Sequence, residues 1–184
     1  GEAVMSDSRR NFLLKSFSAT SAAWLAANWP AEVAAAEKAQ AMGAFTYFTR
    51  EQAGEVDAMA AQIYPTTDTP GAREAQVIYF IDTALVTFAQ DKQDIYAKGL
   101  AELSSHTNGR PLATLSADQQ IQVLTAIEKT PFFRTVRDHT IMGMFASPQH
   151  GGNYKKVGWT QIGYDDSLNF RAPFGAYDKA EGTW

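Results

Sequence analysis

The chain has 184 residues, of which 45% are hydrophobic and 20% charged, with a net charge of -4 and no cysteine. That length can bury one sizeable core, so one domain behind a leader is expected. The acidic balance, with Lys and Arg scattered beyond residues 9–15, offers no basic face to nucleic acid, and the lack of cysteine excludes disulfides, thiolate or iron–sulfur ligation and a Cys nucleophile within this chain.

Residues 1–43 read as a leader. Residues 1–4 precede Met5 and are set aside as an upstream remnant. Ser8, Arg9, Arg10, Phe12 and Leu13 then form Ser-Arg-Arg-x-Phe-Leu, followed by a weakly apolar run rich in Ala and Ser and by Ala34, Ala35 and Ala36. The pattern resembles a twin-arginine (Tat) export signal: a receptor reads the arginines and the Phe-Leu pair, a soft apolar segment inserts, and the small residues offer a cleavage point near Ala36. The apolar run is shorter than the roughly 20 residues of a stable membrane span. The alternative is an amphipathic helix whose basic residues are simply solvated. The twin-arginine route carries cargo already folded with its cofactor or partner, and this chain has neither Cys ligands nor Gly-x-Gly-x-x-Gly. The implied cargo is a partner protein.

Residues 44–184 are expected to form a single all-α domain, a small bundle of about five helices with a long ordered loop rich in glycine and aromatics and an extended C-terminal tail. Thr49 with Gln52 makes a capping box, and Val56, Met59, Ala60, Ile63 and Tyr64 follow at helical spacing until Pro65. Val77, Ile78, Ile81, Leu85 and Phe88 line a second helix bordered by Asp82, a carboxylate expected to be buried and held by backbone amides or an arginine. Residues 91–105 make a third, with Ile95, Tyr96, Leu100 and Leu103 inward. Ser116 with Gln119 caps a fourth, carrying Ile121, Leu124 and Ile127. Thr130-Pro131 opens the fifth, with Pro at the first helical position, and no run alternates apolar and polar residues between hairpin turns.

The fifth helix carries Arg134, Arg137, Asp138 and His139 and then breaks at Ser147-Pro148 into a segment where Tyr154, Trp159 and Tyr164 alternate with glycines 151, 152, 158 and 163. Large rings beside residues that tolerate positive φ predict an ordered loop packed on something. Adjacent helical residues point about 100° apart, so Asp138 and His139 do not face each other as a catalytic dyad. Arg134 and Asp138, four apart, can pair on the helix surface instead, and Arg137 is read as a structural polar residue. The three histidines (106, 139, 150) lack metal-ligand spacing, so neither a catalytic residue nor a metal ligand is assigned. His139 is read first as a hydrogen-bonded structural histidine and second as an interface contact.

The resemblance is carried by the Phe45-Thr46 and Thr49-Arg50-Glu51 lead-in, by Asp68 to Ala72 and Tyr79-Phe80-Ile81-Asp82, and by Phe133-x-x-Val-Arg-x-His-Thr140. Gly143-Met-Phe-x-x-Pro148, Gly151-Gly-Asn153, Gly158-Trp159 and Gly163-Tyr164 complete it. Together these resemble the gluconate 2-dehydrogenase subunit 3 family over nearly the whole chain after residue 44; the departure is His150, where the family usually has an aromatic. The resemblance implies a non-catalytic small subunit without a cofactor of its own. Its partner would be an FAD-bearing large subunit of the glucose–methanol–choline type, often with a cytochrome c subunit carrying haem, oxidising a sugar, sugar acid or glucoside. It implies export by the twin-arginine translocase to the periplasm, free or at the inner membrane, with the large subunit carried along. His139, Phe145, Pro148, Gly151, Gly152, Asn153, Trp159, Tyr164, Phe170 and Phe174 are the candidate interface residues. The competing reading is an independent periplasmic enzyme or ligand-binding protein using the loop 151–159.

Overall fold

A computed structural model describes residues 43–164; the expected leader, the export-signal residues Ser8, Arg9, Arg10, Phe12 and Leu13, and the tail residues Phe170 and Phe174 lie outside them. Among the described residues there are six α-helices and no strand: α1 (Arg50–Ile63), α2 (Val77–Val86), α3 (Gln93–His106), α4 (Ala117–Ile127), α5 (Pro131–Phe145) and α6 (Val157–Gln161).

Local chemistry sets the helix starts. Thr49 Oγ1 accepts from the Gln52 amide at 3.2 Å while the Thr49 amide donates to Gln52 Oε1 at 3.0 Å, and Ser116 with Gln119 repeats the arrangement at α4. Thr130 Oγ1 accepts from the Phe133 amide at 3.1 Å, with Pro131 at the first helical position where an N–H would have no partner in the helix.

Helix α2 is the core element. Its sequence VIYFIDTALV buries eight of ten residues, so it is sheathed on nearly every side rather than lying on the surface with one apolar stripe. Helix α5 is the organiser: it packs against each of the other five helices, burying Phe132, Val136, His139, Thr140, Gly143 and Met144. The chain leading into α1 is held from α2. Asp82 accepts from three consecutive amides, Thr46 at 2.7 Å and Tyr47 and Phe48 at 2.9 Å each. This is the amide alternative of the two expected, and no arginine is involved. Phe45 stacks on Tyr79 at 5.1 Å and Phe48 enters the core.

Three expectations fail here. Phe88 falls beyond the end of α2 at Val86 and is 47% exposed, although its ring still meets Phe80 at 6.0 Å. Ile121 is 53% exposed, and Leu124 and Ile127 are the buried residues of α4. The third helix is preceded by a 3-10 turn, Gln90–Lys92, and starts at Gln93. The helix count agrees with the expected bundle of about five, a short α6 lying within the glycine-rich segment.

Candidate partner-binding site

An α-helix leaves its last four carbonyls without partners in the helix. At the C-terminus of α5 the following segment bonds three of these carbonyls and that of the C-cap residue Ala146. The Ala146 amide donates to Met142 O at 2.7 Å and the Asn153 amide to Gly143 O at 2.7 Å. Trp159 Nε1 donates to Phe145 O at 2.7 Å, and Asn153 Nδ2 to Ala146 O at 3.0 Å. Asn153 is the hub. Fully buried and in the left-handed conformation at φ 47°, it also accepts from the Gly158 amide through Oδ1 at 2.8 Å. Asparagine is among the few side chains that tolerate this backbone and can donate and accept at once.

The glycines follow from the same closeness. A Cβ on Gly152 would overlap the Gly143 carbonyl oxygen, and one on Gly158 the Met144 carbonyl oxygen, so only hydrogen lets these backbones approach α5. Further bonds tie the segment to the connection between α1 and α2: the Tyr154 amide to Ala75 O at 3.0 Å, Gln161 Nε2 to Pro70 O at 2.6 Å, and Tyr64 OH to Gln161 Oε1 at 2.9 Å.

The interface candidates therefore separate. Gly151, Gly152 and Asn153 are buried, and His139 is 6% exposed, so none of these four offers a side chain to the surface. Phe145, Pro148 and Trp159 are half-buried, Phe145 meeting Tyr64 edge to face at 6.1 Å. Tyr164 is exposed. Residues outside the interface candidates complete the exposed part: Tyr154, one of the rings of the glycine-rich segment, Ile162, and the adjacent Lys155 and Lys156, both with left-handed backbone at φ 53° and 60°. Positive φ outside glycine is costly and clusters where surrounding bonds fix the backbone, as they do here. Only the bonding pattern reveals this turn; the Lys-Lys pair itself carries no such signal.

Arg137 is half exposed on α5. Its guanidinium bonds the neighbouring Asp138 through Nε at 3.2 Å and Nη2 at 3.0 Å, both side chains being about half exposed, so Arg137 rather than Arg134 makes the pair. An exposed pair of this kind contributes about 0–1 kcal/mol. His139 points the other way. Its Nδ1 lies 3.0 Å from the Tyr96 hydroxyl and the two rings stack at 5.8 Å, with Phe48 and Phe132 against the other sides of Tyr96. Burial pushes the Tyr96 phenol well above its ordinary pKa. Burial likewise holds His139 below its ordinary value, with Lys92 acting in the same direction and Asp138 and Asp91 opposing.

A stability prediction follows from the sign of that shift. Between the depressed folded pKa and the unfolded value of about 6.5, the unfolded state binds more protons, so stability rises with pH through that window and is lost as pH falls below about 6.5. Urea unfolding at pH 7.5, 6.5 and 5.5 is expected to show this loss, with a slope of at most about 1.4 kcal/mol per pH unit from one proton. His139→Gln is expected to flatten it; an unchanged slope in that variant would assign the loss to other groups.

Among the described residues no group of three or more His, Asp or Glu side chains is placed to hold a metal, and no helix is long and apolar enough to cross a membrane. The arrangement is an all-helical domain whose longest helix is closed by its own glycine- and aromatic-rich segment, leaving a small aromatic and lysine corner exposed. The chain matches the family described as gluconate 2-dehydrogenase subunit 3 over residues 50–166, well over half its length, and it belongs to that family, whose name denotes a subunit of a dehydrogenase complex. The comparisons found no matching curated protein and no matching solved structure.

Proposed function

We propose that this chain is the non-catalytic small subunit of an FAD-dependent sugar dehydrogenase of the gluconate or glucoside type, acting as folding partner and export escort of the flavoprotein large subunit. The observation that carries the reading is membership of the subunit 3 family across α1 to α6. FAD belongs to the large subunit, of the glucose–methanol–choline type, and haem to a third, cytochrome c subunit where one is present. The complex is periplasmic, free or at the inner membrane.

Two features of the site favour a partner over independent catalysis. The Asn153 and Trp159 side chains are spent on the Ala146 and Phe145 carbonyls at the end of α5 and on the Gly158 amide, and the buried glycines bring backbone against backbone where a ligand would need room. A cleft of about 460 Å³ lies elsewhere, between α1 and α3, and its Glu55 carboxylate already accepts the Leu112 amide at 3.0 Å. A subunit that binds only the folded large subunit stabilises it by mass action, which gives the escort its folding role.

The paired arginines supply the test. With Arg9→Lys and Arg10→Lys together, the large subunit encoded beside this chain is expected to be lost from the periplasm and retained in the cytoplasm while still bound to the small subunit. Undiminished periplasmic large subunit would overturn the escort role.

A further inference from the structure

Helix α5 packs against the five other helices, yet one side of it stays open. Successive helical residues turn by about 100°, which places Arg134, Asp138, Ile141, Met142 and Phe145 within about 100° of one another, opposite the buried Val136, His139 and Gly143. The outer side of such a helix is ordinarily polar. Here Ile141 is 47% and Met142 46% exposed, and Phe145 is only half-buried where it meets Tyr64. Ile141 and Met142 precede Phe145 by four and three residues, so the three share one patch. An exposed apolar residue standing singly, such as Ile121 on α4, carries no such meaning.

The patch continues past the end of the helix, where the Trp159 indole bonds Phe145 O and its ring meets Tyr164 edge to face, 5.0 Å between centroids. Its other end is charged. Asp138 takes up the Arg137 guanidinium, whereas the Arg134 side chain has no hydrogen bond or ion pair among the described residues. Methionine, aromatic rings and arginine are the residues that protein interfaces concentrate. A second copy of the chain is a poor occupant. A patch one turn long falls short of the ~800 Å² per partner that a stable pair buries, and its one carboxylate, Asp138, is already spent on Arg137. The family's name denotes a subunit of a dehydrogenase complex, so a larger partner exists to cover the patch and extend beyond it.

We infer that this face of α5 seats the chain on the large subunit of the dehydrogenase, with Ile141, Met142 and Phe145 against an apolar patch of the partner and Arg134 against a carboxylate at its edge. This seating rests on the subunit reading. Covering the three side chains removes apolar surface from water, and the Arg134 pair sets the orientation.

The tagged full chain, co-expressed with the open reading frames beside it, reads the seating as the amount of large subunit it retains. Ile141→Glu with Met142→Glu is expected to cut that amount to about a tenth or less, and Arg134→Glu to cut it by about fivefold, more steeply at low salt. Ile121→Glu, an equally exposed isoleucine off this face, is expected to retain as much as the parent. Glutamate is a good helix former and all four sites are exposed, so the urea midpoints of the variants are expected to match the parent's. Were the double variant less stable, Arg134→Glu at parent stability would decide the matter. Full retention by variants of parent stability would overturn the seating and leave the subunit reading standing. A parent chain that retains no large subunit would overturn both. Equal loss in Ile121→Glu would trace to added charge anywhere on the surface, and a dimer of the parent chain dissolved by the double variant would assign the face to a second copy. Each of these also overturns the seating.

Discussion

Asp82→Ala is expected to lower folding stability by about 3 kcal/mol, read as a shift in the urea midpoint at unchanged slope. The carboxylate accepts from three consecutive amides, and the Phe48 amide is buried where water does not replace the lost acceptor. Losing a buried partner leaves the donor carrying its full desolvation cost, about 1–3 kcal/mol, and the part-buried Thr46 and Tyr47 amides add less because solvent reaches them. Asp82→Asn keeps one acceptor oxygen but brings an NH₂ against three donors, so about half the loss is expected. The damage is also local. Freed of the carboxylate, the strand of chain at 45–48 unstacks Phe45 from Tyr79, and protease cleavage just before α1 is expected to rise well before global unfolding. A loss below about 1 kcal/mol in the alanine variant would mean that the aromatic contacts alone hold the lead-in.

The second large effect falls on Gly158. A Cβ there overlaps the Met144 carbonyl oxygen and sits 3.2 Å from Asn153 Oδ1, so alanine forces α6 off the end of α5. Moving it breaks the Gly158 amide bond to Asn153 and the Trp159 indole bond to Phe145 O together. A cost of about 2–4 kcal/mol is expected from overpacking against backbone that cannot yield, with loss of the Trp159–Tyr164 contact. Gly54→Ala is the contrast. It lies on the exposed side of α1 with nothing within 4 Å of a new Cβ, and is expected to stabilise by about 0.5–1 kcal/mol. If both glycines behaved alike, the close approach at Gly158 would not be what that position requires.

Much of the frame could be read from short-range chemistry. Both capping boxes and the Thr130-Pro131 start involve residues within three positions of each other, so the sequence contains every atom of the interaction. Asp82 was recognisable as a buried carboxylate because of its apolar neighbours, but its amide partners lie 34 to 36 residues away and only the tertiary fold brings them near. The Tyr96–His139 contact spans 43 residues. A buried tyrosine needs a partner for its hydroxyl, and that was a usable hint, yet nothing local selects the histidine. Arg134 and Asp138 show the limit of spacing: four residues permit a pair without compelling it, and at this exposed site Arg137 makes the pair. The glycine block announced that backbone would come close to something. That the something is the carbonyl end of α5, which buries Asn153 and leaves Lys155 and Lys156 outside, is a consequence of packing.

The most direct test of the subunit assignment is to co-express this chain, carrying an affinity tag, with the open reading frames beside it, and to measure the absorbance spectrum and subunit ratio of what is retained. A large subunit in 1:1 ratio carrying the absorbance of bound flavin is the predicted result. A colourless chain eluting alone, with the flavoprotein active and stable without it, would contradict the account.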